Sequence, residues 1–208
     1  MAAAVARAAV TAGAGRVVLV GPARPDLAGI AAPGGLIVVR EDPPGSGPVP
    51  ALRAGLREVR APWVAVLAAD LPFLSARHVG IVRDAAAAAG SGALLADDTG
   101  RPQWLTGCWP AGPLRAALAA YDGMSLRGLL RPLDPVQISY QPAAGEPPPW
   151  LDCDTPEDLR RARDLTGPQV PGLAQAGPGT QAAITLSDRN CAVAERQVSF
   201  LDQDLGRR

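Results

Sequence analysis

Short apolar runs alternate along this chain with stretches whose apolar residues recur at helical spacing. The runs cover residues 16–22, 36–39, 63–73, 93–96, 103–109 and 136–140. Continuous runs rich in β-branched and aliphatic residues are typical of strands buried on both faces of a sheet. Between them, helices are predicted over residues 2–12, 49–60, 76–89, 112–121 and 125–130, with a capped helix start at residues 155–158. The alternation predicts an α/β fold with a largely parallel sheet.

The apolar run at residues 63–73 contains a single carboxylate, Asp70, near its end. Pro72 follows, and proline cannot continue a hydrogen-bonded ladder. Ligands of open α/β sheets bind outside the carboxyl ends of the strands. Asp70 is therefore the first candidate for chemistry, although the run alone is equally compatible with an aspartate that only begins a turn.

Other acidic residues also follow strands. Asp42 comes after the second strand, just before the glycine-rich loop 45–48, and Asp152 and Asp154 precede the last helix. Carboxylates gathered at one sheet edge suit Mg²⁺, with substrate phosphates completing its octahedron. A glycine-rich loop that leads into a helix offers backbone N–H groups to an anion. Together these features predict a Mg-nucleotide site, whereas each alone is more often an ordinary loop or helix cap.

Composition excludes several classes of function. Basic and acidic side chains balance at 20 each, all the basic ones being arginine, so no net charge draws the chain to nucleic acid or to an anionic membrane. No apolar run is long enough for a transmembrane helix. The three cysteines are scattered, which fits neither a disulfide framework nor a zinc site. They fit a reducing compartment, and we expect a cytoplasmic protein.

Several polar residues are expected to carry no chemistry. His78, the only histidine, falls on the predicted helix 76–89 and is expected at the surface. Arg101, Arg127 and Arg131 can meet phosphate, but solvation is the favoured interpretation. Neither a P-loop nor a Gly-x-Gly-x-x-Gly fingerprint occurs, and a single histidine does not support a hydrolase triad.

The chain divides by composition near residue 167. Residues 1–166 carry the α/β pattern, whereas residues 167–208 are rich in Gly, Pro, Gln and Ala at their start and are expected to form a flexible linker and tail. This segment offers little core. Removing residues 168–208 is therefore expected to leave thermal stability almost unchanged.

Five segments in order resemble the nucleotidyltransferases of the molybdenum cofactor guanylyltransferase family. The resemblance covers roughly residues 1–165 and rests on residues 38–42, 47–48, 64–73, 125–130 and 152–159. It implies a Rossmann-like, three-layer nucleotidyltransferase fold with a mostly parallel sheet. It also implies transfer of GMP from GTP to molybdopterin-bound molybdenum cofactor with release of pyrophosphate, Mg²⁺ as cofactor, and molybdoenzymes as downstream acceptors.

The resemblance assigns roles to single residues. Asp70 corresponds to the strand-end aspartate that holds magnesium and lies against GTP, which makes it the catalytic residue. Asp42, Gly47 and Pro48 correspond to the lining of the GTP pocket.

A second group falls at residues 152–156, where the family has an Asn-x-Asn-Thr-Pro stretch beside the cofactor substrate. Asp152 and Asp154 occupy the two asparagine positions, and Asp154 is the second expected metal ligand. Aspartate keeps metal-ligand character but weakens the match to guanylyl transfer. Cytidylyl or another nucleotidyl transfer therefore stays open as an alternative.

The start of the chain departs from the family pattern. The family opens with a strand, a glycine-rich loop and a lysine that meets the phosphates, and residues 1–12 correspond to the helix that follows them. We expect a central strand to be missing, leaving its two neighbours unpaired. The favoured explanation is a start upstream of Met1; the alternative is a truncated, non-catalytic remnant that acts as a binding module.

Overall fold

A computed structural model describes residues 1–151, Arg160 and the backbone of residues 181–184. Its helices are α1 (Ala2–Thr11), α2 (Pro48–Leu56), α3 (Ala76–Ala89), α4 (Ala111–Ala119) and α5 (Leu126–Leu130). Its strands are β1 (Val17–Val20), β2 (Leu36–Val39), β3 (Trp63–Ala68), β4 (Ala93–Ala96), β5 (Pro102–Pro110), β6 (Val136–Ser139) and β7 (Gln181–Ile184). The elements predicted within residues 1–140 are confirmed, with bounds that shift by a few residues. The helix start predicted at 155–158 lies outside the described residues.

The seven strands among the described residues form one sheet in the order β2-β1-β7-β3-β5-β4-β6. β1 and β2 are parallel, as are β4 and β6, while β5 and β7 run antiparallel to their neighbours. It follows that β1, β2, β3, β4 and β6 all point the same way. Their carboxyl ends therefore meet along one edge of the sheet, where ligands bind in folds of this kind.

Helices cover both faces of the sheet because successive strand residues point to opposite sides. Ala65 and Leu67 of β3 face the core shared with α1 and α3. Val64 and Val66 face the second core, which α2, α4 and α5 complete. The chain is therefore a three-layer α/β sandwich, and the expected Rossmann-like nucleotidyltransferase fold is confirmed. None of the described helices is long and apolar enough to cross a membrane.

The centre of the sheet differs from expectation. A gap was expected where a central strand is missing, but β7 lies there, antiparallel between β1 and β3. Residues 181–184 belong to the segment expected to be a flexible tail, and for these four residues that expectation is wrong. The cause lies in backbone hydrogen bonding, since two buried strands flanking an empty position need a partner for their N–H and C=O groups. The division of the chain at residues 166 and 167 stays a prediction.

Candidate functional site

Asp70 lies directly beyond the central strand β3, at the carboxyl edge of the sheet. β3 is held on both sides, by β5 over five residue pairs and by β7 over four. After Asp70 the chain turns, and the side chains of Leu71 and Leu74 anchor that turn in the core. The Asp70 side chain is partly buried, with one carboxylate oxygen shielded from solvent. The carboxylate is thus held between a fixed strand and a fixed turn.

Asp42 and the Gly47-Pro48 turn lie at the same edge, beyond β2. Asp42 is exposed, whereas the neighbouring Glu41 accepts a hydrogen bond of 2.8 Å from the Gly45 N–H and closes the loop. Gly47 adopts a φ of +102°, which residues with a side chain rarely adopt, and α2 begins immediately after it. The sequence therefore builds a tight loop between a strand end and a helix start.

This helix start is a weaker anion site than its position suggests. α2 begins with Pro48-Val49-Pro50, so two of its first three residues have no backbone N–H. The Met124 side chain approaches the loop, about 3.9 Å from where a Cβ on Gly47 would lie. This contact brings the loop close to the start of α5, the helix that forms one wall of the cavity described next.

A cavity of about 730 Å³ lies beside β4, β5 and β6, the strands on the opposite side of β3 from β2, and Asp70 is not among the residues that line it. The end of β4, the first residues of β5 and the helix α5 form its walls. Its lining combines cations, aromatic rings and hydrogen-bonding side chains, namely Arg101, Arg127, Arg131, Trp104, Trp150, Gln103, Gln137 and Asp97. Such a surface suits a ligand that has both an anionic group and a flat ring.

Asp97 fixes one wall of this cavity. Its Oδ1 accepts hydrogen bonds from the Thr99 hydroxyl at 2.6 Å, the Thr99 N–H at 3.0 Å and the Arg101 N–H at 2.9 Å, and Oδ2 accepts one from Gln103 at 3.0 Å. The Thr99 hydroxyl bond, together with the Arg101 N–H, lowers the pKa of Asp97 below its ordinary value. The ionised carboxylate therefore holds Arg101 and Gln103 in place on the wall.

The three arginines expected to be solvated line this one cavity while staying exposed to solvent. Arg101 follows β4, while Arg127 and Arg131 come from α5 and the 3₁₀ turn after it, and all three are exposed. Spacing along the chain did not reveal this grouping, because antiparallel β5 and a helix bring the three together. The signal that the sequence did offer was Asp97, which follows a strand as Asp70 does.

His78 is buried rather than at the surface, with 2% of its surface exposed. It lies in the first turn of α3, where its Nδ1 accepts the Ser75 N–H at 3.1 Å, forming a capping box. Burial lowers the pKa of His78, although Glu146, whose Oε1 lies 3.7 Å from Nε2, opposes that shift. The Tyr140 ring contacts the imidazole of His78 edge-on, with 4.7 Å between the two ring centroids. His78 therefore ties the 140–150 loop to α3 and has a structural role.

The predicted residues thus share an edge but do not form one acidic cluster. Asp42, Gly47, Pro48 and Asp70 all lie at the carboxyl edge. Within residues 1–151 and the other described positions, no three His, Cys, Asp or Glu side chains come close enough to hold a metal ion. Asp152 and Asp154 lie outside the described residues, whereas Trp150 lines the cavity.

The fold defines a class of protein, the three-layer α/β domains, in which ligands bind at the carboxyl ends of the strands. The family model of the MobA-like NTP transferase domain matches residues 1–137, and the chain belongs to this family. It is accordingly a nucleotidyltransferase with a nucleoside triphosphate as substrate, and proteins of this family commonly use a divalent metal. None of the curated proteins compared with the chain matches it.

Proposed function

We propose that this chain transfers GMP from GTP to molybdopterin-bound molybdenum cofactor in a magnesium-dependent reaction that releases pyrophosphate. The observation that carries the proposal is the position of Asp70 between the Gly47-Pro48 loop and the cavity with three arginines, at one sheet edge. A donor and an acceptor can then approach Asp70 from opposite sides. Molybdoenzymes are the downstream acceptors that such a product implies.

The nucleotide side of the site consists of the β2–α2 loop and Asp70. The loop backbone at Gly47 fits close against a ligand because no side chain stands in the way. Asp42 and Pro48 line this side. The lack of lysine in the chain assigns phosphate neutralisation to arginine and to the metal.

The donor set fits magnesium, which commonly takes one or two protein carboxylates and completes its octahedron with phosphate oxygens and water. Asp70 is the carboxylate that would hold it, with Asp154 as the second ligand expected from the sequence. When bound, magnesium would neutralise the charge that develops as the bond to the leaving pyrophosphate breaks. The partial burial of Asp70 fixes its orientation before substrate arrives.

The acceptor side is the arginine-rich cavity. Molybdopterin carries a phosphate group and a fused ring system with a planar pyrimidine part, and the cavity offers guanidinium groups for the former and the rings of Trp104 and Trp150 for the latter. Gln103 and Gln137 can hydrogen-bond the edge of such a ring. Binding there would position the acceptor phosphate for in-line attack on the nucleotide.

Mutation of Asp70 tests the assignment. We expect Asp70→Asn to lower Mg-dependent pyrophosphate release by roughly a hundredfold or more, because the amide loses the charge that holds the cation. Turnover is measured with the purified full chain, GTP and molybdenum cofactor. The matched control is Asp84→Asn, an exposed acidic residue on α3 that pairs with Arg83 at 2.7 Å. Near-normal turnover by Asp70→Asn would contradict the role of Asp70.

The same assay distinguishes the alternatives. Faster turnover with CTP than with GTP would replace guanylyl by cytidylyl transfer, which the aspartates at positions 152 and 154 leave open. Nucleotide binding without turnover, with any acceptor tried, would support the non-catalytic binding module instead. Magnesium-dependent labelling of the cofactor by GTP is the outcome expected here.

A further inference from the structure

The side-chain amide of Gln103, the second residue of β5, lies on the wall of the cavity with its nitrogen held by two acceptors. Its Nε2 donates hydrogen bonds to Asp97 Oδ2 at 3.0 Å and to the Arg101 carbonyl oxygen at 3.3 Å. A primary amide nitrogen carries two hydrogens, and these two bonds use both of them. In this orientation Gln103 has no donor left for a ligand.

The opposite orientation of this amide is unfavourable. Turning the amide over would place its oxygen against Asp97 Oδ2 and the Arg101 carbonyl oxygen. Hydrogen bonds, that from the Thr99 hydroxyl first, lower the pKa of Asp97, so its carboxylate is ionised at neutral pH and can only accept. The Arg101 carbonyl can only accept as well. The chemistry of its neighbours therefore determines which way the Gln103 amide points.

The two acceptors are themselves held in the turn between β4 and β5. Asp97 Oδ1 accepts hydrogen bonds from the Thr99 hydroxyl, the Thr99 N–H and the Arg101 N–H. The Arg101 carbonyl oxygen also accepts the Asp97 N–H at 3.0 Å. Neither acceptor can turn away without breaking these bonds, so the Gln103 amide is fixed before a ligand arrives.

The oxygen of the Gln103 amide remains available to a ligand. None of the described residues donates a hydrogen bond to Oε1, and this atom is not shielded from solvent. Gln103 lines the cavity together with the ring of Trp104 and the guanidinium groups of Arg127 and Arg131. The cavity therefore presents one fixed hydrogen-bond acceptor beside aromatic and cationic groups.

We propose that Gln103 selects an amino-substituted ring in this cavity, because its Oε1 accepts a hydrogen bond from the exocyclic amino group. The arginines bind the anionic group of the same ligand. A ring with a carbonyl oxygen in place of that amino group would set two acceptors against each other and leave both unpaired. The inference rests on the proposed function, which assigns the cavity to molybdopterin, whose ring carries such an amino group.

Two pteridines that differ in one ring substituent test the selection. Pterin-6-carboxylate has an amino group at position 2, whereas lumazine-6-carboxylate has an oxygen there, and both carry an anionic group. Calorimetric titration of the full chain with each compound measures the two Kd values. We expect pterin-6-carboxylate to bind about tenfold more tightly, which is the effect of one hydrogen bond. Equal affinities, tighter binding of lumazine-6-carboxylate or binding of neither compound would overturn the proposal.

Asp97→Asn tests whether the fixed orientation of the Gln103 amide causes the preference. The asparagine oxygen keeps the donors of Thr99 and Arg101, which leaves its amide nitrogen facing Gln103 and allows that amide to turn over. We expect the preference to fall to about threefold or less. Asp98→Asn, an exposed position in the same turn, is the matched control and is expected to keep the wild-type preference. An unchanged preference in Asp97→Asn would overturn the proposal.

Gln103→Met provides a second variant that leaves the hydrogen bonds of Asp97 with Thr99 and Arg101 in place. It replaces the amide by an unbranched side chain of similar size, and the two compounds are then expected to bind within about threefold of each other. A tenfold preference retained in this variant would contradict the role of Gln103. Both tests measure binding alone. A preserved preference without guanylyl transfer would therefore overturn the proposed function only, and turnover with equal affinities would overturn only the selection by Gln103.

Discussion

A single glycine allows the largest side chain of the core to pack. Trp109 is fully buried on β5, and a Cβ on Gly92 would overlap its ring. The backbone of residue 92 cannot move away easily, because its carbonyl accepts a hydrogen bond of 2.8 Å from the Val136 N–H. Glycine is thus required at position 92 by the packing of Trp109, which lies 17 positions later in the chain.

We expect Gly92→Ala to destabilise the protein by about 1–3 kcal/mol, because the added methyl group overpacks the site against Trp109. The control is Gly112→Ala on α4, where a Cβ meets nothing within 4 Å and alanine is expected to be neutral or stabilising by up to about 1 kcal/mol. Chemical denaturation measures both. Equal stability of the two variants would contradict the packing argument.

The buried His78 gives the protein a pH-dependent stability. Burial lowers its pKa below the ordinary value of 6.5, so the unfolded chain binds this proton more readily than the folded one. The groups facing it are Glu146, Arg77 and Tyr140, of which Glu146 favours the protonated form and Arg77 opposes it. The contribution of neutral His78 to the stability of the fold is therefore fully present above pH 6.5, and it is lost as the pH falls through the lower pKa of the folded state.

We expect the melting temperature to fall between pH 7.5 and 5.5 in the wild-type chain and to change less in His78→Gln. Glutamine keeps the capping box but does not titrate. The comparison therefore separates the effect of His78 protonation from the effect of its capping hydrogen bond. Thermal melts at a series of pH values measure the difference. The same slope in both proteins would assign the pH dependence to other groups.

At the scale of elements, a short helix places part of the cavity wall. α5 has five residues, and the hydroxyl of Ser125 accepts the Gly128 N–H at 3.0 Å at its start. Leu126 and Arg127 of this helix line the cavity. The position of the Arg127 guanidinium therefore depends on a helix too short to be stable by itself.

We expect Ser125→Ala to cost about 1 kcal/mol of stability, since it removes this cap, and to raise the KM for the acceptor more than the KM for the nucleotide. Ser139→Ala is the control, an exposed serine at the end of β6. Denaturation and steady-state kinetics measure the two effects. Equal rises in both KM values would contradict the proposed role of this cavity as the acceptor side.

At the scale of the whole molecule, the sheet decides which distant residues meet. Asp42, Asp70 and Asp97 are far apart in sequence, and they share an edge because β2, β3 and β4 point the same way. The parallel direction follows from the helices that cross over between these strands. A chain with no net charge thus acquires a local cationic surface at Arg101, Arg127 and Arg131.

The elements, and the position of Asp70 beyond the end of a strand, could be predicted from sequence because their causes are local. A continuous apolar run makes β3 a buried strand, Ser75 and Gly90 set the ends of α3, and the end of a strand makes Asp70 a candidate. The family could be recognised because the motifs that resemble it keep their order along roughly residues 1–165. Each of these inferences needs only neighbouring residues or their order.

The burial of His78, the arginine-rich cavity and the position of β7 required the tertiary structure. His78 faces outward or inward according to where the 140–150 loop packs, and the three arginines meet only when β5 and α5 lie side by side. Residues 181–184 have no strand signal strong enough to predict β7. β7 pairs with β1 and β3, two buried strands whose facing backbone groups need hydrogen-bond partners. That need exists only after the rest of the sheet has formed.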